Sequence, residues 1–154
     1  QGLLGSWSST GVLGVRHSLP AIANVDVTSL DALRKRSNTY VERTSRDWTA
    51  IPVPAISVEA VVEGDGFCVV GRAGSTGYVY ELGGSDDALK VLWLRLTNAF
   101  ERLWINTAPG DVARWLSHHG ISLTPQRQAM WLPLSTDAAN ALAGQVTIPY
   151  LDRI

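Results

Sequence analysis

Leu89, Leu92, Trp93, Leu96 and Phe100 fall at i, i+3, i+4, i+7 and i+11, the spacing of one face of an α-helix. Before this stripe stands a strand pattern, Gly77-Tyr78-Val79-Tyr80-Glu81-Leu82, and after it a second, Leu103-Trp104-Ile105-Asn106. A strand, a long helix and a strand in that order form the unit that makes a right-handed parallel crossover. No other stretch constrains the chain as much, because the unit demands a sheet with a parallel join and a helix packed on it. Val91 and Leu94 widen the stripe and predict a helix buried on several sides. Ser85 is placed as its N-cap, with Asp86 and Asp87 in the first turn, where the helix dipole favours carboxylates.

The segments on either side extend this core. Strands are expected over 56–62, 67–72 and 77–82, separated by Gly64-Asp65-Gly66 and Ala73-Gly74-Ser75-Thr76. Both separators have tight-turn chemistry, so the three strands read as an antiparallel meander. A helix is expected over 29–44, capped by Thr28 or Ser29, with Leu30, Leu33, Tyr40 and Val41 on one face. Pro52 and Pro54 then mark an extended connection. After Asn106, Asp111 is placed as the cap of a short helix over 112–119, with Gly120 as its left-handed stop. Strands over 121–123 and 129–134, a helix over 136–143 and an extended tail complete the reading. Residues 1–24 are rich in Gly and Ser and read as loop with one strand, or as the end of a preceding segment, leaving 25–154 as the domain. The fold class expected is α/β (α+β): a mixed central sheet with an antiparallel meander, a parallel central join and helices on both faces.

Composition removes several classes. A length of 154 residues suits one domain large enough to hold a core without disulfides or metal. The formal net charge of −1 gives no electrostatic argument for nucleic acid or for an anionic membrane. The basic cluster Arg34-Lys35-Arg36 reads first as a solvated helix face and second as a phosphate contact. Cys68, the single cysteine, lies in the run Phe67-Cys68-Val69-Val70, a packed strand position compatible with a reducing, cytoplasmic compartment. No metal-ligand spacing and no transmembrane run is present. The chain starts at Gln1 with Met130 its only methionine, so further residues are expected upstream. The six tryptophans are scattered and are expected to pack in the core.

Three groups of residues offer chemistry. Gly83 and Gly84 end a strand and open a helix, a geometry that aims backbone N–H groups at an anion. His118 and His119 stand where a helix ends; a histidine there is either a general base or a residue favoured by the dipole. Glu81 lies on the central strand beside the glycine turn and reads either as a base or as a strand residue facing solvent. Tyr78 and Tyr80 share a face, lining a pocket or packing.

The element order over residues 25–135 resembles the GNAT acyltransferase superfamily, in particular the C-terminal half of a tandem, two-domain member. In this resemblance 78–82 is the central strand, Gly83 and Gly84 the pyrophosphate turn and 103–106 the diverging parallel strand. "GDVARWLSHHGI" is the second helix with its terminal glycine. The resemblance implies an N-acyltransferase that moves an acetyl group from acetyl-CoA to an amine. It further implies that Leu82, Gly83, Gly84, Ser85 and Asn106 bind acetyl-CoA, and that Glu81, with His118 or His119 second, removes the proton. An N-terminal GNAT half or a homodimer is the implied protein partner.

Two departures support an alternative. Gly83-Gly84-Ser85-Asp86-Asp87 lacks the leading basic or amide residue and the second spaced glycine of the family's turn. Leu116 stands where the family often has a tyrosine acid. The alternative is a non-catalytic GNAT-like half that acts as scaffold or partner-binding domain, and an unrelated α+β binding domain is the third reading.

Overall fold

The structure, a computed structural model, describes residues 2–9, 17–36, 46–47 and 57–126. Among them lies one six-stranded mixed sheet: β1 (Gly2–Ser8), β2 (Ser57–Glu63), β3 (Gly66–Ala73), β4 (Thr76–Gly83), β5 (Arg102–Thr107) and β6 (Leu123–Gln126). Three helices accompany it, α1 (Val27–Arg34), α2 (Asp86–Ala99) and α3 (Asp111–His118). The strand order is β2-β3-β4-β5-β1-β6. None of the described helices is long and apolar enough to cross a membrane.

The meander forms where the turn chemistry requires it. Two-residue loops, Gly64-Asp65 and Gly74-Ser75, join β2 to β3 and β3 to β4, and each glycine takes a left-handed φ, +59° and +61°. Glycine first in a two-residue loop matches the twist of the flanking strands. β4 then runs parallel to β5 from Thr76↔Arg102 to Val79↔Ile105. The ladder stops there, although β4 continues to Gly83 and β5 to Thr107.

One irregularity decides which β4 side chains face which layer. Val69 pairs with Glu81 but Val70 pairs with Val79, so Tyr80 is an extra residue in β4. Such a bulge turns successive side chains toward one face. Val79 and Leu82 therefore join the α2 face, in a core of Cys68, Val70, Leu92, Leu96, Phe100 and their neighbours. Tyr80 packs on the opposite face with Leu30, Ala60 and Val69. α1 covers that face, whereas Trp115 and Leu116 of α3 belong to the α2 face. Helices thus lie on both faces of the sheet.

α2 follows its expected stripe, with Ala88, Leu89, Leu92, Leu96 and Ala99 buried. Burying one such leucine contributes about 1.5–3 kcal/mol. Val91 and Leu94 depart from expectation: both are exposed, Leu94 at 61%, because α2 buries only the face turned to the sheet. Asp26, not Thr28 or Ser29, caps α1, since its carboxylate accepts from the Thr28 N–H at 3.0 Å and from the Ser29 hydroxyl. Gly110, not Asp111, precedes α3; Asp111 lies inside the first turn and pairs with Arg114. Gly120 does stop α3, with φ +81°. The Gly120 N–H reaches the Ser117 carbonyl at 3.1 Å and the Ile121 N–H the Leu116 carbonyl at 3.0 Å, closing the end as a Schellman motif.

Two further differences concern the sheet edge. The strand expected over 121–123 starts only at Leu123 and runs to Gln126, because its register comes from pairing with β1. Gly2–Ser8, within the stretch read as loop with one strand, is an interior strand, antiparallel to both β5 and β6. Trp7, Trp93 and Trp115 pack edge to face as expected of core tryptophans, but Trp104 stands 45% exposed on β5. The helix over 136–143 and the strand over 129–134 lie outside the described residues.

Gly84 joins β4 to α2 at φ +136°, where an added Cβ would meet the Gly66 Cα at 2.5 Å. Gly64 has a left-handed φ of +59° but open space around it. Gly84→Ala is therefore expected to lose about 2–4 kcal/mol, from strain and overpacking together. Gly64→Ala loses only about 1–2 kcal/mol, from strain alone. Urea unfolding of the two variants measures the gap, and equal losses would contradict the close approach.

Candidate functional site

Glu81 does not face solvent. The bulge at Tyr80 points it at α1, where its carboxylate accepts from Arg34 Nε at 2.6 Å and from Arg34 Nη2 at 3.1 Å. The guanidinium is buried to 2% exposure and Glu81 to 6%. Arg34 also donates to Asp31 Oδ1 at 3.1 Å, one helical turn earlier. A two-point arginine–carboxylate pair is among the strong charge-assisted contacts, and it engages both oxygens of the Glu81 carboxylate. Arg34 is therefore part of the core, against the expectation of a solvated face, while Lys35 and Arg36 are exposed.

A second pair sits on the α2 face. Glu59 accepts from Arg72 Nε and, at 3.1 Å, from Arg72 Nη2, and takes the Leu19 N–H at 3.0 Å. Arg72 lies 4.1 Å above the Phe100 ring and donates to the Ala99 carbonyl at 3.3 Å. This node ties the approach to α1, two strands and the C-terminal end of α2 together.

The glycine turn is filled by the protein itself. Phe67 lies against Gly83, and Gly84 against Gly66. The Asp65 carboxylate accepts from Ser85 Oγ at 2.7 Å and from the Ser85 N–H at 3.4 Å. The Ser85 hydroxyl holds the Asp65 carboxyl below its ordinary value. Ser85 also caps α2 through the Ala88 N–H, as expected, and Asp86 and Asp87 follow in the first turn. A carboxylate thus bonds the N–H that an incoming pyrophosphate would need, with two more acidic groups beside it. Leu82 packs into the α2 face and Asn106 pairs in register with Leu4 of β1, one residue past the last β4–β5 rung.

His118 and His119 are exposed at the end of α3. Each ring bonds the carbonyl four residues earlier through Nδ1, His118 to Arg114 and His119 to Trp115, both at 2.8 Å. A carbonyl only accepts, so Nδ1 carries the proton in both rings. His119 stacks on Trp115 with centroids 3.9 Å apart. These contacts finish a helix end. They lie on α3, which packs on the opposite face of the sheet from the Glu81–Arg34 pair. The candidate catalytic residues are thus not brought to one place.

Cys68 is fully buried, and desolvation first, then the charges of Glu81 and Glu59, push its thiol far above the ordinary value. Among the described residues no three of His, Cys, Asp and Glu come together as metal ligands. Sequence reasoning missed Arg34 as a partner for Glu81, although Leu30, Leu33 and Arg34 stand at i, i+3 and i+4 and share the buried stripe of α1. Comparison of the chain with family models, with curated proteins and with solved structures finds no match.

Arg34→Met leaves a buried carboxylate without its partner and is expected to cost about 3–5 kcal/mol. Arg34→Met with Glu81→Leu recovers most of that loss; additive losses in chemical denaturation would contradict a buried pair. Ser85→Ala is expected to raise the Asp65 pKa toward its ordinary 3.8, read by carboxyl NMR. Because the folded value is the lower one, the Asp65 contribution is present above that ordinary value. It fades as pH falls through the lowered one, so the wild type loses its margin over Ser85→Ala in acid.

Proposed function

We propose that this chain is a GNAT-type half of an N-acyltransferase, serving as scaffold and partner surface rather than as the acetyl-CoA site. The element order supports the family reading: a meander, a central strand, a helix, a parallel strand whose ladder ends early, and a second helix closed by a glycine. One observation carries the non-catalytic reading. Glu81, the residue placed to act as base, spends both oxygens on Arg34. The state of the turn agrees, with Asp65 already on the Ser85 N–H. His118 and His119 then serve α3, and acetyl-CoA and the amine are handled by the half that partners this one. A free, buried Cys68 suits a cytoplasmic setting.

A specific observation favours the enzyme reading as second. β4 and β5 stop pairing at Val79↔Ile105 while both continue. In GNAT-type sites the gap between diverging strands takes the pantetheine arm. In that case Leu82 to Ser85 and Asn106 line its approach.

Calorimetric titration of the chain with acetyl-CoA separates the two. The proposal expects no saturable heat up to about 1 mM ligand, a limit of about −4 kcal/mol. Micromolar binding would overturn it and restore Gly83 to Ser85 as a working anion site.

A further inference from the structure

β5 is an inner strand of the sheet, yet Trp104 at its middle is 45% exposed. Leu103 and Ile105 face the α2 core, so alternation turns Arg102 and Trp104 to the opposite face. Register carries that face onto the neighbouring strands. Thr76 and Tyr78 of β4 stand beside Arg102 and Trp104 on one side, and Ser8 and Ser6 of β1 stand beside them on the other. α1 covers the same face farther along the sheet, where Leu30 packs with Ala60, Val69 and Tyr80. Among the described residues no helix continues over β5 and β1. Arg102, Ser6 and Ser8 are exposed there, and Tyr78 is half-buried.

The charge on this face is unbalanced. Arg34, Arg72, Arg95 and Arg114 each meet a carboxylate, whereas the Arg102 side chain has no such partner among the described residues. β1, β5 and β6 carry no acidic residue. A bare guanidinium two residues from an exposed indole suits an anionic group beside an apolar one. Trp, Tyr and Arg also dominate binding energy at protein interfaces, inside a ring of neighbours that adds little. Thr76, Ser6 and Ser8 supply such a ring.

Spacing narrows the occupant. Two residues along a strand span about 6.5 Å. An extended peptide presents alternate side chains at the same interval, so a carboxylate and an apolar group two positions apart meet Arg102 and Trp104 together. A second copy of this face would bring Arg102 against a like charge, which disfavours self-association. A nucleic acid strand needs several cations along its phosphates, and β1 and β5 supply one.

We propose that the β5–β1 face is a docking surface for an acidic, extended segment of a partner protein. Its carboxylate pairs with Arg102, and an apolar side chain two residues away packs on Trp104. The proposal rests on the reading of this chain as a partner surface and names the part that serves. Acetyl-CoA titration tests that reading, and a peptide titration tests this one.

The probe is acetyl-Gly-Glu-Ser-Leu-Gly-amide, added to the full chain and followed by ¹⁵N NMR at the Trp104 indole N–H and the Arg102 Nε–H. Both resonances are expected to shift and to saturate with a Kd of about 1 mM. Replacing the peptide's glutamate by glutamine weakens binding about two- to fivefold, the range of an exposed ion pair, and lysine weakens it further. Arg102→Glu, a change at an exposed position, reverses that order with the thermal midpoint unchanged. Trp104→Ala weakens binding about tenfold. No shift up to about 20 mM peptide, shifts that ignore the peptide's charge, or an order that Arg102→Glu leaves unchanged overturn the proposal. So does a dimer in sedimentation that Trp104→Ala dissociates, which gives the face to a second copy. Tighter binding of oligouridylate at the same resonances overturns it too, in favour of nucleic acid.

Discussion

The Arg34 guanidinium and the Glu81 carboxylate meet in two hydrogen bonds between α1 and β4, both side chains almost wholly removed from water. Neither charge is tolerable there alone, since an unpaired ion in a protein interior costs several kcal/mol. The pair therefore sets where α1 lies, which face Glu81 takes and how the approach to the helix is drawn in. The bulge at Tyr80 is its structural counterpart, because in regular alternation from Val79 through Tyr80 Glu81 would turn to the α2 face. A two-point pair is poor stabilisation compared with hydrocarbon of equal volume, but it permits only one register between the helix and the strand.

The same logic accounts for the other polar groups. Glu59 and Arg72 join the approach to α1, β2, β3 and the end of α2. Asp65 and Ser85 join the β2–β3 turn to the start of α2. His118 and His119 finish α3. Each group that looked chemical in isolation has a packing or capping partner, and they are spread over both faces and several corners of the sheet. A catalytic site gathers such groups around one point; among the described residues these groups do not meet at one point.

The alternation of strand and helix was legible because periodicity reports local burial. The stripe of α2, the two glycine turns of the meander and the stop at Gly120 all follow from local chemistry. What was not legible depends on contacts distant in sequence. β1 carries no strong strand signal, being uncharged and rich in small residues, and becomes a strand because two strands later in the chain flank it. The start of β6 is set by β1 rather than by its own residues. Glu81 looked available because a bulge cannot be seen in a pattern of alternate residues. Arg34 looked solvated because it sits in a basic triplet, although Leu30 and Leu33 place it on the buried side of α1.

Arginine Nε–H resonances test most directly whether Glu81 is committed to Arg34. In a ¹⁵N-resolved NMR spectrum the Arg34 Nε–H is expected to be shifted downfield and to exchange with water far more slowly than that of exposed Arg114, and to stay so when acetyl-CoA is added. An Arg34 Nε–H that exchanges as fast as Arg114, or one released by acetyl-CoA, would contradict the account and return Glu81 to the role of base.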